Sequence, residues 1–250
     1  MKVIIIGGTG LIGSQVAKIL GTEHEVVAAS PNTGVNTLTG EGLEQALQNA
    51  DIVIDVSNSP SFADDDVLHF SKTSNENLLP AAKKAGVQHL VALSVVGTDR
   101  MQDGGYFRAK QVQEDMIKAS GLPYTIVHAT QFFEFAGGIA AMSTAGEKVK
   151  LSTAFIQPIA SAEVASFIAK TAVEKPANAI IEIGGPERFQ LNEWIAQYAN
   201  ATQKTFAIKA DNNAPYSGVV LKQETLVPEN PVFLGSVFYE DWIANPDNQR

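Results

Sequence analysis

The first thirteen residues constrain this chain more than any other stretch. Val3 to Ile6 is a run of β-branched residues, long enough for a strand buried on both faces and too short for a helix. Gly7, Gly8 and Gly10 turn the chain. Leu11, Ile12, Val16, Ile19 and Leu20 then recur with the spacing of a helix that buries one stripe. A strand, a glycine turn and a helix in that order aim backbone N–H groups and the positive end of the helix dipole at whatever lies over the turn, which suits a pyrophosphate. The string fits G-x-G-x-x-G from Gly8 to Gly13 and also G-x-x-G-x-x-G through Gly7, Gly10 and Gly13, with Thr9, Leu11 and Ile12 between them, so spacing leaves the register open. In either register Gly10 lets backbone approach phosphate, and Gly13 lets the helix pack closely on the strand.

Strand and helix patterns continue to alternate after this unit, as a doubly wound parallel sheet requires. Glu25 to Ala29 reads as a second strand, ending in Ser30-Pro31-Asn32-Thr33-Gly34. An Asp or Glu at this point accepts hydrogen bonds from the adenosine ribose of NAD and repels the extra phosphate of NADP. Ser30, Asn32 and Thr33 stand there instead, which favours NADP, although no Arg or Lys is present to strengthen the grip. The same residues also suit a simple turn. Gly42 to Asn49 predicts a short helix and Asp51 to Asp55 a buried strand whose C-terminal end carries Ser57, a further cofactor candidate. A helix over Asp64–Ala85, a strand over His89–Ser94, a helix from Tyr106 to Ser120 and a strand over Tyr124–Ala129 follow. Asp64, Asp65 and Asp66 suit a helix start better than a metal, and His24, His69, His89 and His128 show no ligand spacing, so no metal is expected.

Beyond Ala129 the alternation loosens. Lys148–Leu151, Phe155–Ile159 and Ile180–Ile183 read as short strands and Ala162–Val173 and Leu191–Ala199 as helices, while the last fifty residues give little pattern. The expected architecture is α/β: a six- or seven-stranded Rossmann-type doubly wound parallel sheet with a small C-terminal substrate cap. It forms a single domain over 1–250, with a core of about 1–131 and 151–175 and cap elements of about 132–150 and 176–250. A formal net charge of −9 disfavours nucleic acid and anionic membrane partners. The absence of cysteine excludes disulfides and thiol chemistry and fits a cytoplasmic setting. The apolar start is too short for a signal peptide, and no later run approaches the ~20 apolar residues of a membrane span. The expected partner is a small-molecule substrate; oligomeric state is not legible.

Tyr106 and Lys110 lie four apart on a predicted helix and so share a face. An ammonium beside a phenol stabilises the phenolate and brings the tyrosine toward working range as a proton donor to a carbonyl oxygen. Ser94, at the C-terminal end of a strand, is placed where ligands of open parallel sheets sit.

Taken in order, Gly7 to Gly13, Asn77 to Val87, Leu93-Ser-Val-Val-Gly97, Tyr106-Phe-Arg-Ala-Lys110, Thr130 to Phe135 and Ile183-Gly-Gly-Pro-Glu187 resemble the short-chain dehydrogenase/reductase superfamily, and more narrowly its atypical, NmrA-like NAD(P)H-binding branch. The resemblance favours Gly7, Gly10 and Gly13 as the working glycines. It implies a Ser94-Tyr106-Lys110 site in which Ser94 holds the substrate oxygen, Tyr106 passes the proton and Lys110 binds the nicotinamide ribose. Hydride would pass between the nicotinamide and a carbonyl or quinone-like substrate. Thr130 and Gln131 fall where relatives contact the nicotinamide end. Phe132, Phe133 and Phe135 either line an apolar substrate pocket or pack in the core. Two departures stand out: no basic residue follows the second strand, and the abbreviated third strand, Val35–Leu38, lacks the acid often found near the adenine. The same branch includes non-catalytic dinucleotide sensors, and the fold is shared by nucleotide-sugar epimerases and dehydratases, whose substrate lobes are usually larger.

Overall fold

The computed structural model describes residues 1–145 and 148–249; residues 146 and 147, within the expected cap segment 132–150, and residue 250 lie outside the described residues. The chain begins β1 (Lys2–Ile6), α1 (Leu11–Leu20), β2 (Glu25–Ala29), α2 (Leu43–Leu47), β3 (Ile52–Asp55), α3 (Asp64–Ala85), β4 (His89–Val95), α4 (Gly105–Ala119) and β5 (Tyr124–Ala129). It continues with α5 (Ala136–Met142), β6 (Thr144–Ala145), β7 (Lys148–Leu151), β8 (Phe155–Ile156), α6 (Ser161–Val173), β9 (Ala179–Gly184) and β10 (Phe189–Gln190). It closes with α7 (Leu191–Ala201), β11 (Ala207–Ala210), β12 (Pro231–Leu234) and α8 (Tyr239–Ala244).

A seven-stranded sheet runs in the order β12-β9-β5-β4-β3-β1-β2, with β1 parallel to β2 and β3, β3 parallel to β4, and β9 parallel to β12. This is the expected Rossmann-type sheet. Its order turns on β1: the chain steps outward to β2, then crosses back to put β3 on the other flank. Ligands of open parallel sheets sit at the C-terminal ends of strands beside such a reversal, here the turns after β1 and β3.

The apolar runs explain why these strands are central. Val3, Ile4, Ile5 and Ile6 are at most 3% exposed, so both faces of β1 are covered. Ile4 and Ile6 join Val53, Leu90, Ala92 and Ile126 in one core layer, against Leu78, Leu79, Ala82 and Ile117 of α3 and α4. Burying each such aliphatic side chain is worth about 1.5–3 kcal/mol. The three aspartates of α3 occupy its first turn, Lys83 and Lys84 its last, and Gly86, at φ 76°, closes it, an arrangement that complements the helix dipole at both ends.

One expected strand is absent. Val35–Leu38 is a loop whose groups are spent locally: Asn36 N–H donates to Glu41 O, Gly40 N–H to Asn36 O, and Leu38 N–H to the Asn36 side chain. Asn77 of α3 donates to the carbonyls of Thr37 and Leu38. With that backbone committed, β2 ends the sheet, and Tyr124–Ala129 is its fifth strand in chain order, one fewer than a count that includes Val35–Leu38. The expected strand Phe155–Ile159 is also shorter, since β8 covers Phe155–Ile156 and Ile159 bridges singly to Phe132.

The chain divides into two compact units. The first comprises Met1–Ser94, Gly105–His128 and Val164–Ile181, and the second Val95–Gly104, Ala129–Glu163 and Glu182–Arg250. Within the second, β6, β7 and β11 form a small sheet, β8 pairs with β10, and Phe133, Trp194, Tyr239 and Trp242 make an aromatic cluster with centroids 5.0–6.0 Å apart. Among the described residues no helix is long and apolar enough to cross a membrane.

Candidate functional site

The glycine turn of the first unit is built by exclusion. Gly7 adopts φ +78°, and a Cβ there would stand 2.8 Å from the Ser57 Cα, which brings the turns after β1 and β3 into contact. A Cβ on Gly8 would lie 2.6 Å from the Ala28 Cα, and one on Gly13 would lie 2.2 Å from the Gly7 carbonyl oxygen. Gly10 differs. A Cβ there meets only the Gly7 oxygen, at 3.3 Å, and Thr9, Gly10 and Leu11 are exposed. The N–H groups of Leu11, Ile12 and Gly13, in the first turn of α1, have no intrahelical acceptor, and no acidic side chain competes for them. Ile12 turns its own side chain into the core. This open, donor-lined cradle over a helix N-terminus fits the pyrophosphate of a dinucleotide.

At the end of β2 the side chains are occupied with each other. Ser30 and Thr33 cap a short turn reciprocally, and the Thr33 hydroxyl also donates to the Ala28 and Ser30 carbonyls at 2.9 and 3.0 Å. Asn32 is exposed.

Two buried polar networks flank the ends of β3 and β4. Asp55, 2% exposed, accepts from the Ser57 N–H at 3.0 Å, the Ser57 hydroxyl at 2.6 Å and the Gln113 amide nitrogen at 2.9 Å. Gln113 turns its amide oxygen to the Lys110 Nζ, which donates again to the Leu93 carbonyl at 2.8 Å. Burial pulls the Lys110 ammonium below the usual lysine range, against the charges of Asp55 and Glu114. In the second network the Ser94 hydroxyl donates to Glu114 Oε1 at 2.5 Å, and the same oxygen lies 2.8 Å from His128 Nε2. Burial works to raise the Glu114 pKa, but the His128 hydrogen bond and charge, the Ser94 hydrogen bond and the Lys118 charge together hold it below the ordinary value.

Tyr106 opens α4, half-buried, with its ring 6.0 Å from Phe62 and 5.4 Å from Phe107. Burial pushes its phenol up to about 12, and a hydrogen bond from the Asn58 side chain opposes the shift. The expected lowering by Lys110 is not what this geometry produces: the phenol is raised, and two of the three ammonium N–H bonds go to Leu93 and Gln113.

In the second unit the Thr130 hydroxyl and both polar atoms of the Gln131 amide are buried without a hydrogen-bond partner, an arrangement that costs stability unless a ligand or water completes it. Phe132 stacks on the exposed Phe135 at 4.9 Å, whereas Phe133, 1% exposed, belongs to the aromatic cluster. Sequence reasoning missed Asp55, Asn58, Gln113, Glu114 and His128. A signal existed for two of them, because Phe107, Lys110, Gln113, Glu114 and Ile117 recur at helical spacing and mark polar groups on the buried face of α4.

The fold and the donor-lined turn define a dinucleotide-binding α/β protein of Rossmann type. The chain belongs to the NAD(P)H-binding family, whose sequence model matches residues 7–175, and the NmrA-like resemblance is thereby borne out. It is similar to a (4-alkanoyl-5-oxo-2,5-dihydrofuran-3-yl)methyl phosphate reductase of Streptomyces griseus subsp. griseus, 30% identical over 144 residues that cover 52% of this chain and 48% of that protein. It is also similar to the photosystem II assembly factor Ycf39 of Cyanophora paradoxa, 26% identical over 149 residues that cover 54% of this chain and 46% of that one. The matches thus span about half the length of these relatives, at 48% and 46%. In fold it resembles MoeE5 in complex with UDP-glucuronic acid and NAD, with a TM-score of 0.73, 17% identity and coverage of 98% of this chain and 97% of the other.

Proposed function

We propose that this chain is an NAD(P)H-dependent reductase of a small carbonyl or quinone-like substrate, with Ser94, Tyr106 and Lys110 as its reacting site. The observation that carries the reading is the pair on α4: a phenol with a buried ammonium one helical turn later, in the unit that bears the glycine cradle. The reductase among its relatives supports it. Bound NAD(P)H supplies the hydride. Gly7, Gly10, Gly13 and the amides of Leu11 and Ile12 hold the pyrophosphate, with Thr9 and Ser57 beside it, and Thr130 and Gln131 carry over from the resemblance as nicotinamide contacts. Lys110 holds the ribose hydroxyls. Tyr106, pushed up to about 12, keeps its proton at neutral pH, the form that can deliver it to an oxygen that becomes alkoxide-like as hydride arrives.

Ser94 carries over from the resemblance as the contact to the substrate oxygen, a role that requires its proton to leave Glu114; Phe132 and Phe135 carry over as apolar pocket residues, while Phe133 belongs to the aromatic cluster. The absence of an acid at Ser30, Asn32 and Thr33 favours NADP(H) over NAD(H). NADPH oxidation with a panel of aldehydes and quinones, compared between wild type and Tyr106→Phe, tests the assignment. Turnover is expected to fall by at least about a hundredfold in the variant, the usual contribution of a positioned acid; equal turnover removes Tyr106 from the role. A second reading, a dinucleotide-binding assembly or regulatory protein, is favoured by the similarity to an assembly factor. Tight NADPH binding without turnover on any acceptor would select it.

A further inference from the structure

We infer that Gln113 and Asp55 are positioning residues that aim the Lys110 ammonium, so that dinucleotide affinity depends on two side chains that never touch the ligand's nicotinamide half. The inference rests on the proposal that Lys110 holds the nicotinamide ribose.

The amide of Gln113 can point either way unless its neighbours decide. Asp55 decides it. An ionised carboxylate only accepts, so it claims the Gln113 nitrogen, at 2.9 Å, and leaves the amide oxygen facing Lys110. An ammonium only donates, so the other contact has the right polarity as well. Asp55 is itself held by the Ser57 N–H and hydroxyl at 3.0 and 2.6 Å. All three members, Asp55, Gln113 and Lys110, are at most 5% exposed.

Lys110 has three N–H bonds, and the Leu93 carbonyl and Gln113 take two. Tetrahedral geometry then fixes the direction of the third. A long, flexible side chain normally loses rotamer freedom when it binds, and here that loss is already incurred in folding. Because neutral Gln113 separates the two charges, Lys110 is not locked into a direct ion pair with Asp55. The chain Ser57–Asp55–Gln113–Lys110 also begins beside Gly7, so the turn that receives the pyrophosphate and the lysine assigned to the ribose share one buried network.

The test compares NADPH with 2′-phospho-ADP, called ADP below, which lacks only the nicotinamide riboside, by titration calorimetry on the full chain. Gln113→Leu is expected to weaken NADPH at least tenfold relative to ADP, Lys110→Met to do the same, and the double variant to lose little more than either. A general structural defect would weaken both ligands alike. An unchanged NADPH-to-ADP ratio in Gln113→Leu, with the ratio altered in Lys110→Met, overturns the positioning role alone. An unchanged ratio in Lys110→Met overturns the assignment of Lys110 and the inference with it. If Gln113→Leu does not fold, Gln113→Glu serves: it still accepts from Lys110 but repels Asp55, and a wild-type ratio in it counts against the network.

Discussion

Alanine at Gly13 and at Gly10 should separate what the turn needs for folding from what it needs for binding. A Cβ at Gly13 would lie 2.2 Å from the Gly7 oxygen, 2.7 Å from the Gly8 Cα and 2.9 Å from the Gly7 carbonyl carbon. These are backbone atoms, so α1 must shift by about 1 Å, and overpacking of this kind costs about 1–3 kcal/mol. Alanine's better helix propensity returns about 1 kcal/mol. The net destabilisation is therefore up to about 2 kcal/mol, a fall in Tm of up to about 8 °C for a chain of this size. Gly10 lies outside α1 in extended backbone, φ −82°, with only the Gly7 oxygen near its Cβ at 3.3 Å. Its alanine variant should fold with a loss of no more than about 1 kcal/mol, yet put a methyl group where phosphate would approach. Thermal denaturation with and without NADPH, together with calorimetric titration, provides both readouts. The expected result is a lowered Tm for apo Gly13→Ala, a near-normal Tm for apo Gly10→Ala, and an NADPH affinity at least about tenfold weaker, or 1.4 kcal/mol, for Gly10→Ala. A Tm raised by Gly13→Ala, or NADPH bound normally by Gly10→Ala, would refute the steric reasoning.

Further expectations follow from the buried titratable groups. The phenolate signal that Tyr106→Phe removes should be absent below about pH 10 and grow only toward about 12; difference absorbance titration in the intact pH range decides this, and an early Tyr106 phenolate contradicts it. His89, bonded to the Ala172 carbonyl and Thr125, is held below its ordinary 6.5 chiefly by burial. Above 6.5 its contribution is intact, and as pH falls from 6.5 toward the depressed folded value the unfolded chain gains the extra proton and stability drops by up to about 1.4 kcal/mol per unit. Tm measured against pH should therefore fall less steeply in His89→Gln. Glu114→Ala strands the Ser94 hydroxyl and His128 and should cost about 1–3 kcal/mol for each stranded group in denaturant unfolding; a total loss under about 1 kcal/mol would show that the network is slack.

Much of the frame was readable because it rests on local periodicity. The β-branched run, the glycine spacing and the α1 stripe specify strand, turn and helix through neighbours only a few residues apart, and the helix over Asp64–Ala85 carries its own end signals. Val35–Leu38 was misread because its strand-like composition was outweighed by a partner forty residues away, Asn77. The small elements after Ala129 were hard to place for a related reason: two-residue strands such as β6, β8 and β10 are too short to show a period.

The site divides along the same line. By itself the sequence determined that a donor-lined glycine turn precedes a helix and that Tyr106 and Lys110 share one helix, since both follow from spacing along a single element. Only the tertiary structure decided the state of those groups. Which way the Gln113 amide turns toward Lys110, where the Lys110 ammonium finds its second acceptor, and whether the Ser94 proton is committed to Glu114 all depend on residues brought together from different elements. Hydrogen-bond polarity and desolvation are properties of that assembled environment, and no periodicity within one segment encodes them.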